Sequence, residues 1–143
     1  MTAASAVIMM LTACNSIQTD HKKQNKITII KETKPWTEED VKAIALTLAG
    51  ECYDDKPRDK RLVCEVILNR VSHKDFPNTI QEVVSAPNQF IGYVKQSRDI
   101  TKNDIEVATQ ALQDWYDGGC QKLSEYLYFS AGPNRENIFR KNY

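Results

Sequence analysis

Apolar residues recur along this chain at the spacing of helix faces. Val41, Ile44, Ala45 and Leu48 predict one buried helical stripe. Thr37 with Asp40 three positions on approximates a capping box at its start, just after Pro35. Gly50 falls where helices often stop. Tyr53 to Lys60 is a polar turn in which Pro57 suits the first turn of a helix. Arg61 to His73 predicts a second helix. Its Leu62, Val63, Cys64, Val66, Ile67, Leu68 and Val71 cover much of the circumference and mark it as the central buried helix. Phe76-Pro77-Asn78 breaks the pattern, with Asn78 as the expected cap of a short helix through Ser85. Ala86 to Asp99 predicts a loop with some extended structure. Thr101 to Asp117 is the clearest helix, with Ile105, Ala108, Leu112, Trp115 and Tyr116 on its inner face and Gly118-Gly119 as its end. Tyr126 to Phe129 predicts a short aromatic strand, and Gly132 to Tyr143 a polar, irregular tail.

The first residues follow a different pattern. Ala3 to Ala13 is uncharged, apolar from Ala6 to Leu11, and has the length of a signal-peptide h-region rather than of a membrane span. Its ending, Leu11-Thr12-Ala13-Cys14, resembles the lipobox of bacterial lipoproteins. That resemblance implies lipidation of Cys14 and a stable membrane anchor through several acyl chains; an apolar leader with a chance cysteine is the other reading. Asn15 to Lys34 is polar and lysine-rich apart from the island Ile27 to Ile30, a composition suited to a tether. The expected organisation is a leader over residues 1–14, a flexible tether over 15–35 and one folded domain over 36–143. The protein is then placed in the cell envelope, lipid-anchored outside the cytoplasmic membrane.

Composition changes little in this picture but excludes some partners. The chain has 143 residues, 41% of them hydrophobic and 27% charged, which fits one soluble domain. Lys+Arg and Asp+Glu both number 19, so no basic field attracts nucleic acid. Besides Cys14, the chain holds Cys52, Cys64 and Cys120. A Cys52–Cys120 disulfide is conceivable outside the cytoplasm, because both lie near predicted helix ends, whereas Cys64 fits a small core residue. No C-x-x-C spacing appears, so no metal site is expected, nor any cofactor. A monomer is expected.

The candidate chemistry centres on Glu51. It lies three residues after Leu48 and seven after Ile44, on the apolar stripe if the helix persists that far. There its carboxyl group is partly desolvated, which raises its pKa and keeps a proton available for general acid catalysis. If the helix frays instead, the side chain turns into solvent. Glu65 and Asn69, one turn apart on an apolar helix, either bond locally or face a cleft.

Gly50-Glu51-Cys52, Val66-Ile67-Leu68-Asn69-Arg70-Val71, Phe76-Pro77-Asn78-Thr79-Ile80, Gln89-Phe90 and Tyr128-Phe129 occur in an order that resembles the SleB-type cell-wall hydrolase family. That family carries an E-A-R-G-E motif at a helix end, an apolar helix ending V-I-L-N-R-V, a phenylalanine-proline turn, a Q-F pair and a late aromatic strand. Counted back from Asn69 without gaps, the first glutamate of the motif falls on Glu51 and the second on Asp55, while Tyr53 and Asp54 replace its arginine and glycine. The resemblance implies an α+β, mainly helical, lysozyme-like fold with a small sheet. It also implies cleavage of peptidoglycan glycan strands between N-acetylmuramic acid and N-acetylglucosamine, typically as a lytic transglycosylase with Glu51 as acid and base.

A transglycosylase manages with one carboxylate, whereas a glycosidase of the usual kind needs two. Asp55 and Glu65 are the candidates for a second, and solvation or helix pairing accounts for either. Gln89, Phe90, Tyr93 and Tyr128 are the candidates for holding sugar, since glycans bind aromatic faces and oriented amides. Phe90 fits core and cleft equally. Asn69 either orients Glu51 or the sugar, or bonds nearby backbone. The rival to an enzyme is a module that binds peptidoglycan without cutting it.

Overall fold

The computed structural model of the protein describes residues 34–143. The segments expected as leader and tether, up to residue 33 and including Cys14, lie outside the described residues. Five helices, α1 (Glu38–Glu51), α2 (Pro57–Val71), α3 (Ile80–Ser85), α4 (Ile91–Lys95) and α5 (Lys102–Asp117), precede an antiparallel hairpin of β1 (Tyr128–Ala131) and β2 (Asn137–Arg140). The fold is therefore α+β and mainly helical, with a small sheet.

Local chemistry accounts for most of the boundaries. Thr37 caps α1 through a complete capping box: its hydroxyl accepts from the Asp40 amide and its own amide donates to Asp40. Thr101 and Asp104 repeat the device at α5. Pro57 opens α2, which starts earlier than its apolar run because proline's missing N–H costs nothing in a first turn. The cap of α3 is Thr79, not Asn78; the Thr79 hydroxyl accepts from the Glu82 amide.

Helix α2 is the central element, with Val63, Cys64, Val66, Ile67 and Leu68 fully buried. Ile44, Ala45 and Leu48 of α1 and Ala108, Ala111 and Leu112 of α5 complete the core around it. Burial of each larger aliphatic side chain is worth about 1.5–3 kcal/mol. The inner face of α5 differs from the expected one: Ile105 is 46% exposed. The helix is instead turned so that Asp104, Ala108, Ala111 and Trp115 form the buried stripe, because Asp104 meets the buried ammonium of Lys60.

Two segments gain structure the sequence pattern did not reveal. Residues 86–99, expected as a loop, contain α4, whose short turn carries no apolar period. The tail, expected to be irregular, returns as β2 and pairs Phe139 with Phe129 and Ile138 with Ser130. Its alternation of half-buried and exposed positions spans only four residues, too few for a period-two signal to stand out. β1 also starts two residues later than expected, at Tyr128.

Gly50 does not end α1, which runs on through Glu51. A Cβ on Gly50 would lie 2.2 Å from the Gly92 Cα, so glycine stands there to let α1 and α4 meet backbone to backbone. The three described cysteines are free. Cys52 precedes the start of α2, whereas the carbonyl of Cys120 accepts from Ser72 just past its end, so the two do not pair.

Candidate active site

Because α1 persists to Glu51, the carboxyl group is carried on the side of the helix that continues the apolar stripe. It is partly buried and lines an open cleft of about 910 Å³. One wall is the loop joining α1 to α2, with Tyr53, Asp54 and Asp55; the opposite wall is the hairpin turn, with Arg135, Glu136 and Asn137. Arg98, beyond α4, lines it as well. Burial pushes the Glu51 carboxyl above the ordinary carboxylate range, and the Gly92 amide, donating to Oε1 at 2.6 Å, acts the other way.

The remaining carboxylates of the cleft are paired with cations. Asp54 binds Arg98 and Lys60, the latter at 2.8 Å, and those two bonds hold its pKa down at about 2. Asp55 meets Arg135 at 3.4 Å and Glu136 meets Lys56 at 2.9 Å. The Arg135 guanidinium also lies 4.0 Å from the centre of the Tyr53 ring. Tyr53 and Asp55, in the loop that departs from the E-A-R-G-E motif, thus latch the hairpin turn through Arg135, whereas Asp54 ties the loop to Arg98 and Lys60. Asn137 completes the wall, donating through Nδ2 to the Glu51 carbonyl at 3.1 Å and through its amide to the buried Asp59 at 2.5 Å.

The residues expected to hold sugar do not line this cleft. Gln89, Phe90 and Tyr128 converge instead on Arg70. Its guanidinium lies 5.0 Å from the centres of the Phe76 and Phe90 rings and 5.4 Å from that of Tyr128. It donates to the Leu127 carbonyl at 2.8 Å and to Gln89 Oε1 at 3.0 Å. Burial lowers the Arg70 pKa to about 10. Phe90, 1% exposed, is a core residue. Tyr93 is half-buried against the core on α4.

Asn69 is fully buried and reaches neither Glu51 nor the cleft. Its Nδ2 donates to the Ser124 and Tyr126 carbonyls and its Oδ1 accepts from the Leu123 amide, so it fixes the loop that leads into β1. Glu65 bonds Arg61 at 2.9 Å within α2, which removes it as a second carboxylate. The sequence offered no motif for Arg98, Arg135 or Asn137. Among the described residues, no group of His, Cys, Asp and Glu is placed to hold a metal ion, and no helix is long and apolar enough to cross a membrane.

Fold and site together define a small helical domain whose open cleft presents one desolvated carboxyl group among paired ones. A family model described as Cell Wall Hydrolase matches residues 54–142, and the chain belongs to that SleB-type family. The matched stretch begins three residues after Glu51. Two curated relatives, both described as spore cortex-lytic enzyme and both from Bacillus cereus, are 28% identical over 113 residues, 79% of this chain and 42% of theirs. The chain thus spans less than half the length of those relatives. No solved structure matches it.

Proposed function

We propose that the protein cleaves peptidoglycan glycan strands between N-acetylmuramic acid and N-acetylglucosamine, with Glu51 as its single proton-transferring group. One observation carries this reading. Of the four carboxyl groups lining the cleft, Glu51 alone makes no salt bridge among the described residues, and burial raises its pKa while Asp54, Asp55 and Glu136 are held by cations. A protonated carboxyl donates to the leaving glycosidic oxygen as the bond to the sugar's anomeric carbon breaks. The resulting carboxylate then takes the proton of that sugar's own 6-hydroxyl, whose oxygen closes an anhydro ring. No water is consumed and the acid is regenerated. Family membership supports peptidoglycan as the substrate class; the lone acid supports the transglycosylase route over one that needs a second carboxylate.

Tyr53 and Asn137 are the side chains best placed to meet sugar inside the cleft. Gln89, Tyr93 and Tyr128 keep exposed surface for contacts with a longer stretch of strand beyond it. We place the domain outside the cytoplasm, tethered to a lipid anchor on Cys14. The second reading, a module that binds glycan without cutting it, fits the cleft's latching pairs but gives Glu51 no role. Digestion of purified sacculi separates them: the wild type should release muropeptides lacking one water and a reducing end, and Glu51→Gln should release none. Sacculi that bind the wild type yet stay intact would establish the binding module, and products with a reducing end would establish hydrolysis.

A further inference from the structure

We propose that the Gly50–Gly92 contact is a positioning device for the acid: it brings the Gly92 amide onto Glu51 Oε1 and so assigns the transferable proton to Oε2. This rests on the reading of Glu51 as the proton donor. The first ground is the closeness of two backbones. A Cβ on Gly50 would lie 2.2 to 2.5 Å from Gly92 backbone atoms, and one on Gly92 would lie 2.4 Å from the Gly50 carbonyl carbon. Neither glycine has a positive φ, so space, not backbone conformation, requires them. The second ground is what the closeness achieves. One residue after Gly50, Glu51 Oε1 accepts from the Gly92 amide at 2.6 Å, and Oε2 has no protein partner among the described residues. A neutral carboxyl group whose Oε1 receives an N–H holds its own hydrogen on the other oxygen.

The segment after α4 secures the arrangement. Arg98 donates to the carbonyls of Ala49 at 2.9 Å and Cys52 at 3.3 Å, bracketing Gly50 and Glu51. An N–H bond to a carboxylate favours the charged form, so it opposes burial and keeps the acid strong enough to give up its proton.

The other titratable and charged groups about Glu51 come from the elements that meet at the end of α1. Cys52, Asp54 and Asp55 stand on the loop, Asp59 on α2, Tyr93 and Lys95 on α4, Arg98 beyond it, and Arg135 and Glu136 on the hairpin turn. Asp54, Asp55 and Glu136 have their cations, and burial pushes the Cys52 thiol far up, leaving it neutral. Among the described residues, the Gly92 amide is the hydrogen-bond donor that reaches the Glu51 carboxyl group.

A pH titration of the full chain by amide NMR tests the contact without a destabilised variant. The Gly92 amide proton should shift with a single midpoint above the ordinary Glu value and cease to titrate in Glu51→Gln; a Gly92 signal that does not titrate, or titrates unchanged in Glu51→Gln, overturns the contact. Gly92→Ala tests its consequence. The pH at which glycan cleavage is lost on the alkaline side should rise by about one unit, a tenfold change in the proton equilibrium, with KM little altered. An unmoved alkaline limb in folded Gly92→Ala overturns the proposal. Cleavage that persists in Glu51→Gln while Gly92 still titrates in the wild type would sink the functional reading instead, and the proton assignment with it.

Discussion

Lys60 Nζ and Asp104 Oδ1 meet at 2.6 Å with neither side chain exposed, joining the first turn of α2 to the first turn of α5. Asp104 serves two partners at once, since its Oδ2 accepts from the amide and hydroxyl of Thr101 in the α5 cap. Burial disfavours charge on both groups, but the Lys60–Asp104 bond, together with Asp54 on Lys60 and Thr101 on Asp104, outweighs it, raising the Lys60 pKa and lowering that of Asp104. Lys60 also binds Asp54 on the cleft wall, so the pair links the core to the site.

Breaking this pair should be costly because the buried Lys60 ammonium then keeps only the exposed carboxylate of Asp54 as a partner. Asp104→Ala is expected to lose up to about 3–5 kcal/mol from the ion pair; the Thr101 hydroxyl still caps the amide at position 104, and the Thr101 amide loses its carboxylate partner. Urea unfolding midpoints at constant slope measure it. Lys60→Met combined with Asp104→Ala should recover part of the loss. If the double variant is as unstable as the sum of the singles, the two residues do not interact as described.

How much of this was legible in the sequence depends on how local the cause was. The Thr37 cap and the buried face of α2 follow from spacings within one or two turns. Ile105 is exposed, against its helical spacing, because its helix is oriented by Lys60, 45 positions earlier in the chain. Gly50 reads as a helix end in the sequence because its partner, Gly92, is distant along the chain. The Gln89–Phe90 and Tyr128–Phe129 pairs marked the family yet converge on Arg70, not on Glu51. The cleft wall was invisible because Arg135 and Asn137 lie in a tail with no periodic signal, placed only by partners some 80 residues away.

Glu51 should weaken the fold at neutral pH. Its folded pKa is raised, so the native state holds its proton more tightly than the unfolded chain. The stability this supplies is fully present below the unfolded value and is lost as pH rises through the folded one. Glu51→Gln, which cannot titrate, should match the wild type in thermal melts near about pH 3 and melt higher than it near about pH 8, well above the unfolded Glu value of about 4.3. Equal melting temperatures at both pH values would mean that the carboxyl group is not desolvated.

Asn69→Ala should damage stability and leave chemistry alone. The substitution strips partners from the Leu123 amide and the Ser124 and Tyr126 carbonyls around a fully buried position. Each buried polar group left unpaired costs about 1–3 kcal/mol. Chemical denaturation should show a large loss, while the turnover of the folded fraction stays that of the wild type. A selective fall in kcat with unchanged stability would instead restore Asn69 to the site.

Asn137 should behave in the opposite way, because its side chain touches the end of the helix that carries the acid. The Nδ2 bond to the Glu51 carbonyl and the amide bond to Asp59 fix β2 against the ends of α1 and α2. Asn137→Ala removes the first bond and keeps the second, so the hairpin stays anchored while the backbone of Glu51 gains freedom. A misplacement of about 1 Å at a reacting group can lower the rate about a hundredfold. A fall in kcat that far exceeds any change in the unfolding midpoint is therefore expected. Ile105→Gln is the control: at an exposed site remote from the cleft lining, it should shift stability by no more than about 0.5 kcal/mol and leave kcat unchanged. If Asn137→Ala tracks Ile105→Gln in both measurements, the hairpin wall does not position the acid.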